Sequence, residues 1–163
     1  MKTLDKIDVQ QRLKKNQKIF FVRTQMKEVG TLSFSDTIHE PEDVVQFVRN
    51  LFEGETREHL LALYLLGDRV VALEQMSIGT SNSCQVPFKD ILQSCFLCNA
   101  RNIILVHNHV SGNLTPSRSD IDATKRMKKC AELLDMALLD HIIVSSRDNQ
   151  FLSMKVAGYL DKE

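Results

Sequence analysis

A chain of 163 residues in which 21 Lys and Arg balance 21 Asp and Glu has room for one ordinary domain and carries no basic excess. That balance argues against strong nucleic-acid binding, which needs a cationic surface or stripe. The content of 43% hydrophobic residues excludes a disordered polar chain. No apolar run is long enough to span a bilayer and the start, Met1-Lys2-Thr3-Leu4-Asp5-Lys6, offers no apolar leader, so a cytoplasmic protein with no membrane partner is expected.

Residues 1–35 read as an N-terminal extension. The first 17 or so are polar and solvated, with the lysine cluster Lys14-Lys15-Asn16-Gln17-Lys18 at their end. Ile19-Phe20-Phe21-Val22 has strand composition, and Glu28 to Asp36 is rich in turn formers. The domain proper is expected over 36–159. Its first helix should run from about Pro41 to Phe52, because Pro41 suits a first turn, Glu42 and Asp43 favour the positive end of the helix dipole, and Val44, Phe47, Val48 and Leu51 recur at helical spacing.

The apolar run Leu60 to Leu66, closed by Gly67-Asp68 and followed by Val70 to Leu73, predicts a β-hairpin turning near Gly67-Asp68-Arg69. Ser77 to Val86 reads as a loop, and a helix from about Pro87 to Asn99 leads into the strand Asn102-Ile103-Ile104-Leu105-Val106. Ile121, Ala123, Met127, Cys130, Ala131 and Leu134 outline an amphipathic helix ending near Asp135. Strands follow at Leu138 to Ser145 and Gln150 to Met154, so helices and strands alternate around a mixed sheet. Of the four cysteines (Cys84, Cys95, Cys98, Cys130), Cys95 and Cys98 stand three apart on an apolar helix face, where small core thiols are the expected reading.

The chemistry concentrates after the central strand. Residues two apart on a strand point the same way, so His107 and His109 share a face while Asn108 looks to the other. The loop Ser111-Gly112-Asn113-Leu114-Thr115-Pro116 then leads into a helix that Thr115 or Ser117 can cap, with Pro116 suited to its first position. Asp120 falls in that helix's first turn, able to lean back over the strand end. Two imidazoles and a carboxylate leave a position of a tetrahedral zinc free, which is the catalytic ligand count. Such a site needs a carboxylate outside the metal's own ligands to move protons. Glu58, at the start of the hairpin, is the candidate, with Glu53, Glu55 and Glu74 also in range. The Ser117 hydroxyl can serve as an oxyanion donor or simply as a helix cap. His141 beside Asp140 reads as a packing residue that could also support a ligand's orientation, and His39 and His59 are assigned no role.

Together Glu58, His107-x-His109, Ser117 and Asp120 resemble the JAMM motif of the JAB/MPN metalloprotease superfamily. The flanking text is closer to its bacterial RadC-like branch: Arg57-Glu58-His59-Leu60, Gly79-Thr80, Ile103 to Gly112, Thr115-Pro116-Ser117 and Asp140-His141-Ile142-Ile143-Val144. The likeness covers roughly residues 36 to 159. It implies an α/β/α sandwich around a curved mixed sheet, one zinc ion per chain held by His107, His109 and Asp120, Glu58 as acid and base, and Ser117 assisting. It further implies a hydrolase acting on a peptide or isopeptide substrate.

Two departures stand out: Val110 where the family commonly has proline, and Phe88-Lys89-Asp90 where the branch has Arg-Glu. The helix-hairpin-helix region of longer RadC-like proteins is not found in this sequence, which argues against DNA as a direct target. The alternatives are a DNA-repair or nucleic-acid-associated accessory protein without proteolytic activity, and a non-catalytic MPN scaffold. Self-association into a homodimer is left open.

Overall fold

The computed structural model describes residues 37–52, 54–78 and 86–160. The expected N-terminal extension 1–35, with its strand at 19–22, lies outside them, as do residues 79–85 of the expected loop. The elements in chain order are α1 (Pro41–Val48), continued by a 3-10 turn (Arg49–Leu51), β1 (His59–Leu66), β2 (Arg69–Ile78), α2 (Phe88–Leu97), β3 (Asn102–His109), α3 (Arg118–Glu132), β4 (Ala137–Ser145) and β5 (Phe151–Ser153). The five strands form one mixed sheet in the order β2-β1-β3-β4-β5. β3 pairs parallel with β4, and the other three pairings are antiparallel. A parallel pair needs a crossover, and α3 supplies it.

Helices cover both faces of the sheet. On one, Ile91 and Cys95 of α2 and Met127 and Ala131 of α3 pack on Leu60, Ala62, Tyr64, Ile103 and Leu105. On the other, Val44, Val45 and Val48 of α1, with Phe52, pack on Leu61, Leu63, Leu65, Ile104, Val106, Ile142 and Val144. This is the expected α/β sandwich. Because β1 and β3 are covered on both sides, they read as unbroken apolar runs rather than alternating ones.

Several boundaries differ from the sequence reading, each for a local reason. β2 continues to Ile78 rather than stopping at Leu73, because the antiparallel ladder holds it against β1 back to His59. α1 tightens to a 3-10 turn after Val48. α3 ends at Glu132, and Asp135 adopts a left-handed φ of 54° that turns the chain towards β4. Ser117, not Thr115, caps α3, so Pro116 is a buried residue before the cap rather than the first helical residue. Cys95 is core, as expected: burial first, and Cys98 second, push its thiol up to about 11, and its Sγ lies 3.5 Å from the Ala100 carbonyl oxygen. Among the described residues no helix is long and apolar enough to cross a membrane.

Candidate metal centre

β3 carries His107 and His109 out of the core on the face that α3 covers. α3 brings Asp120 back over them because Ser117 and Asp120 close a reciprocal capping box. The Ser117 hydroxyl accepts from the Asp120 amide at 3.2 Å, and the Asp120 carboxylate Oδ2 accepts from the Ser117 amide at 2.7 Å and from the Ser117 hydroxyl at 2.5 Å. The hydroxyl expected to serve an oxyanion thus lies on Asp120, where it orients the carboxylate.

The donor atoms of His107, His109 and Asp120 converge within 4.8 Å of one another. His107 Nε2 and His109 Nε2 are 3.0 Å apart, and Asp120 Oδ1 and Oδ2 lie 3.5 Å and 3.6 Å from them respectively. Four donors at about 2.1 Å around a tetrahedral zinc stand about 3.4 Å apart, so this triangle has the size such an ion requires.

Protonation fits as well. His109 Nδ1–H donates to the Asn113 carbonyl at 2.6 Å, leaving Nε2 with its lone pair. Burial first, then the neighbouring His141, keep His107 neutral by pushing its pKa well below the ordinary imidazole value. Two imidazole edges aimed at each other across 3.0 Å need a cation or a shared proton between them. The Asp120 carboxylate invites one: burial alone would raise its pKa, but His109, His107 and Ser117 outweigh burial and hold it well below the usual carboxylate range. The carboxylate in turn raises the pKa of His109, against burial, so that imidazole favours a positive charge when no metal is bound. These residues could hold a metal ion. His107 is buried, whereas His109 and Asp120 keep an edge towards solvent, so the cluster is reached from that side.

Glu58 lies immediately before β1. Continuing the β1–β3 register from Leu60↔His107 by two residues sets Glu58 beside His109. Its carboxyl is pushed above the ordinary range, chiefly by burial, with Asp120 adding to that and His109 opposing it. A carboxyl whose proton is held more tightly than usual is a stronger base when ionised, which suits it to proton transfer. Of the other glutamates considered, Glu55 lies 2.9 Å from His59 Nε2 and Glu74 accepts from the Tyr64 hydroxyl at 3.1 Å. Glu53 lies outside the described residues.

Asn108, which the sequence reading left without a site role, and His141, read there chiefly as a packing residue, both support this cluster. Asn108, fully buried on the opposite face, grips the backbone on either side of Glu58: its Oδ1 accepts from the His59 amide at 2.7 Å and its Nδ2 donates to the Arg57 carbonyl at 2.9 Å. His141 approaches His107 Nδ1 with its Nε2 at 2.7 Å. Asp140, by contrast, turns away from the site and accepts from the Ser153 hydroxyl and the Lys155 amide. At Val110, where the family commonly has proline, Arg147 Nε donates to the carbonyl at 3.2 Å and steadies the loop entry.

Comparison with known proteins places the chain in a family. The chain is 35% identical over 137 residues to a UPF0758 protein of Geobacillus sp. (strain WCH70), covering 82% of this chain and 60% of that one. It is 43% identical over 121 residues to a UPF0758 protein of Desulforamulus reducens, covering 74% and 52%. To UPF0758 protein YsxA of Bacillus subtilis (strain 168) it is 38% identical over 124 residues, covering 76% and 53%. The chain therefore spans little more than half the length of these relatives, whose names state no activity. The profile of the RadC-like JAB domain matches residues 38–159, and with that match the chain belongs to the RadC-like JAB domain family.

Proposed function

We propose that this chain is a zinc-dependent metallo-hydrolase of the peptidase or isopeptidase type, with its site built from His107, His109, Asp120, Glu58 and Ser117. The observation that carries the reading is the pair of imidazole edges 3.0 Å apart, closed by a carboxylate within 3.6 Å. Two imidazoles and a carboxylate suit zinc and leave it open to a further ligand.

Held by these three residues, a zinc ion supplies Lewis acidity that makes water a competent nucleophile near neutral pH. Glu58, poised by its raised pKa, takes the proton from the attacking water and passes it to the departing amine. Ser117 first positions Asp120. Turned away from that carboxylate, its hydroxyl would be free to donate to the oxyanion of the substrate carbonyl. The ligand set and the acid/base carboxylate are all present, which weighs against a non-catalytic scaffold.

Elemental analysis of the purified protein tests the centre. The wild type should carry one zinc per chain, and Asp120→Ala and His107→Ala should carry none; full retention in both would show that the ligands are misassigned. Glu58→Gln should keep the metal and lose hydrolysis in a screen of peptide and isopeptide substrates. Unchanged turnover in that variant would place the base elsewhere.

A further inference from the structure

His107 is joined to Asp120 not only across the metal centre but by a second, buried route. We infer that His141 and Thr124 form a relay of hydrogen bonds that fixes the tautomer and ring orientation of His107, so that its Nε2 lone pair faces the cation; this rests on the metal-centre reading above.

The relay has four members. His107 Nδ1 lies 2.7 Å from His141 Nε2, His141 Nδ1 lies 2.6 Å from Thr124 Oγ1, and Thr124 Oγ1 donates to the Asp120 main-chain carbonyl at 2.6 Å. Its direction follows from the far end. A carbonyl oxygen can only accept, so the threonine proton is committed to it. The other neighbour of that hydroxyl, Met154 Sδ at 3.5 Å, is also only an acceptor. Thr124 must therefore accept from His141 Nδ1–H. The Nε2 of a neutral His141 then has a lone pair and no proton, and must accept from His107 Nδ1–H. What is left on His107 is a bare Nε2, on the side where Asp120 and His109 converge.

His141 and Thr124 are 1% and 0% exposed, so water does not compete for these bonds. The two rings meet at 55° with centroids 4.7 Å apart, a tilted contact that suits an edge-to-edge bond and not stacking. His109 achieves the same result in one step, through the Asn113 carbonyl. The relay thus makes His141, on β4, a positioning residue for a ligand on β3, and anchors it to the helix that carries the third ligand.

The test uses the full chain, stripped of metal with a chelator and titrated with zinc and, for its visible spectrum, cobalt. Wild type should take up one ion. His141→Leu, similar in bulk but without nitrogen, should weaken the affinity roughly 10- to 100-fold. His141→Gln, whose amide oxygen can accept from His107 Nδ1–H, should regain most of it, and Thr124→Val should lose affinity in the same direction. Binding by His141→Leu equal to wild type, or a glutamine variant no better than the leucine one, would overturn the relay.

Should the leucine variant fail to fold, 15N NMR of the wild-type histidine side chains still decides. Protons on Nδ1 of both His107 and His141 are expected, and a His141 protonated on Nε2 alone refutes the relay. A wild type that binds neither ion refutes the metal-centre reading, while the NMR result independently decides the hydrogen-bond direction.

Discussion

Truncating Asn108 to alanine should destabilise the protein without emptying the metal centre. The side chain is fully buried and makes three bonds: from the His59 amide at 2.7 Å, to the Arg57 carbonyl at 2.9 Å and to the Ser146 hydroxyl at 2.8 Å. Losing the partner of a buried amide costs about 1–3 kcal/mol, whereas Arg57 is exposed and Ser146 half-buried, so water can replace part of the other two bonds at about 1 kcal/mol each. The sum, about 3–5 kcal/mol, is a large share of a total stability of about 5–15 kcal/mol and corresponds to a fall in Tm of roughly 10 °C. Thermal unfolding followed by circular dichroism in the presence of a chelator reads this directly. Elemental analysis should show metal retained, because the histidines point to the other face of the sheet. A Tm within a degree of wild type would mean that the clamp on either side of Glu58 carries no weight, and the account of how Glu58 is held would fail.

Three further outcomes are expected. Without metal, His141 is held down to about 4 by burial and His107 is also lowered, so their contribution is fully present above an unfolded imidazole pKa of about 6.5 and is lost as pH falls towards 4. His141 alone should lose on the order of 2 kcal/mol between pH 7 and 5, partly offset by His109, whose raised pKa contributes stability in the opposite sense; a urea midpoint flat over that range would refute this. Gly112→Ala should cost about 1–2 kcal/mol, since its φ of 77° strains any side chain and an added Cβ would stand 3.1 Å from Arg147 Cδ, and an unchanged Tm would refute the loop geometry. Zinc at a hundredfold excess over its Kd should stabilise the wild type by about 2.7 kcal/mol and Asp120→Ala not at all, as read by calorimetry; equal shifts in both would place the ion elsewhere.

The sequence was most readable where one residue type dictates its own geometry. The H-x-H parity on a strand and the S-x-x-D box at a helix start are local, so His107, His109, Ser117 and Asp120 could be brought to one place before any fold was known. His141 was not legible in that way. β4 carries an extra residue at Leu139: Ile103 pairs with Leu138, but Ile104 pairs with Asp140. Simple alternation from Leu138 would set Asp140 on the α3 face beneath the ligands, and the bulge sets His141 there instead. Asn108 was correctly assigned to the opposite face, but its grip on Arg57 and His59 crosses about fifty residues of sequence and rests on antiparallel pairing that no local signal reveals. Pro116 misled because its fixed φ fits a first helical turn, while the stronger reciprocal cap at Ser117 starts the helix two residues later.

β1 starts at the level where β3 stops, since the two run in opposite directions side by side. The Glu58 carboxylate and the imidazoles therefore share one rim of the sheet, while the hairpin tip at Gly67-Asp68 sits at the far rim. That tip is tied to its own rim, the Gly67 carbonyl accepting from Asn102 Nδ2 at 2.6 Å and the Asp68 carbonyl from the Ile38 amide at 2.8 Å. The candidate centre occupies one pole of this domain, and the length of β1 separates it from any change made at the other.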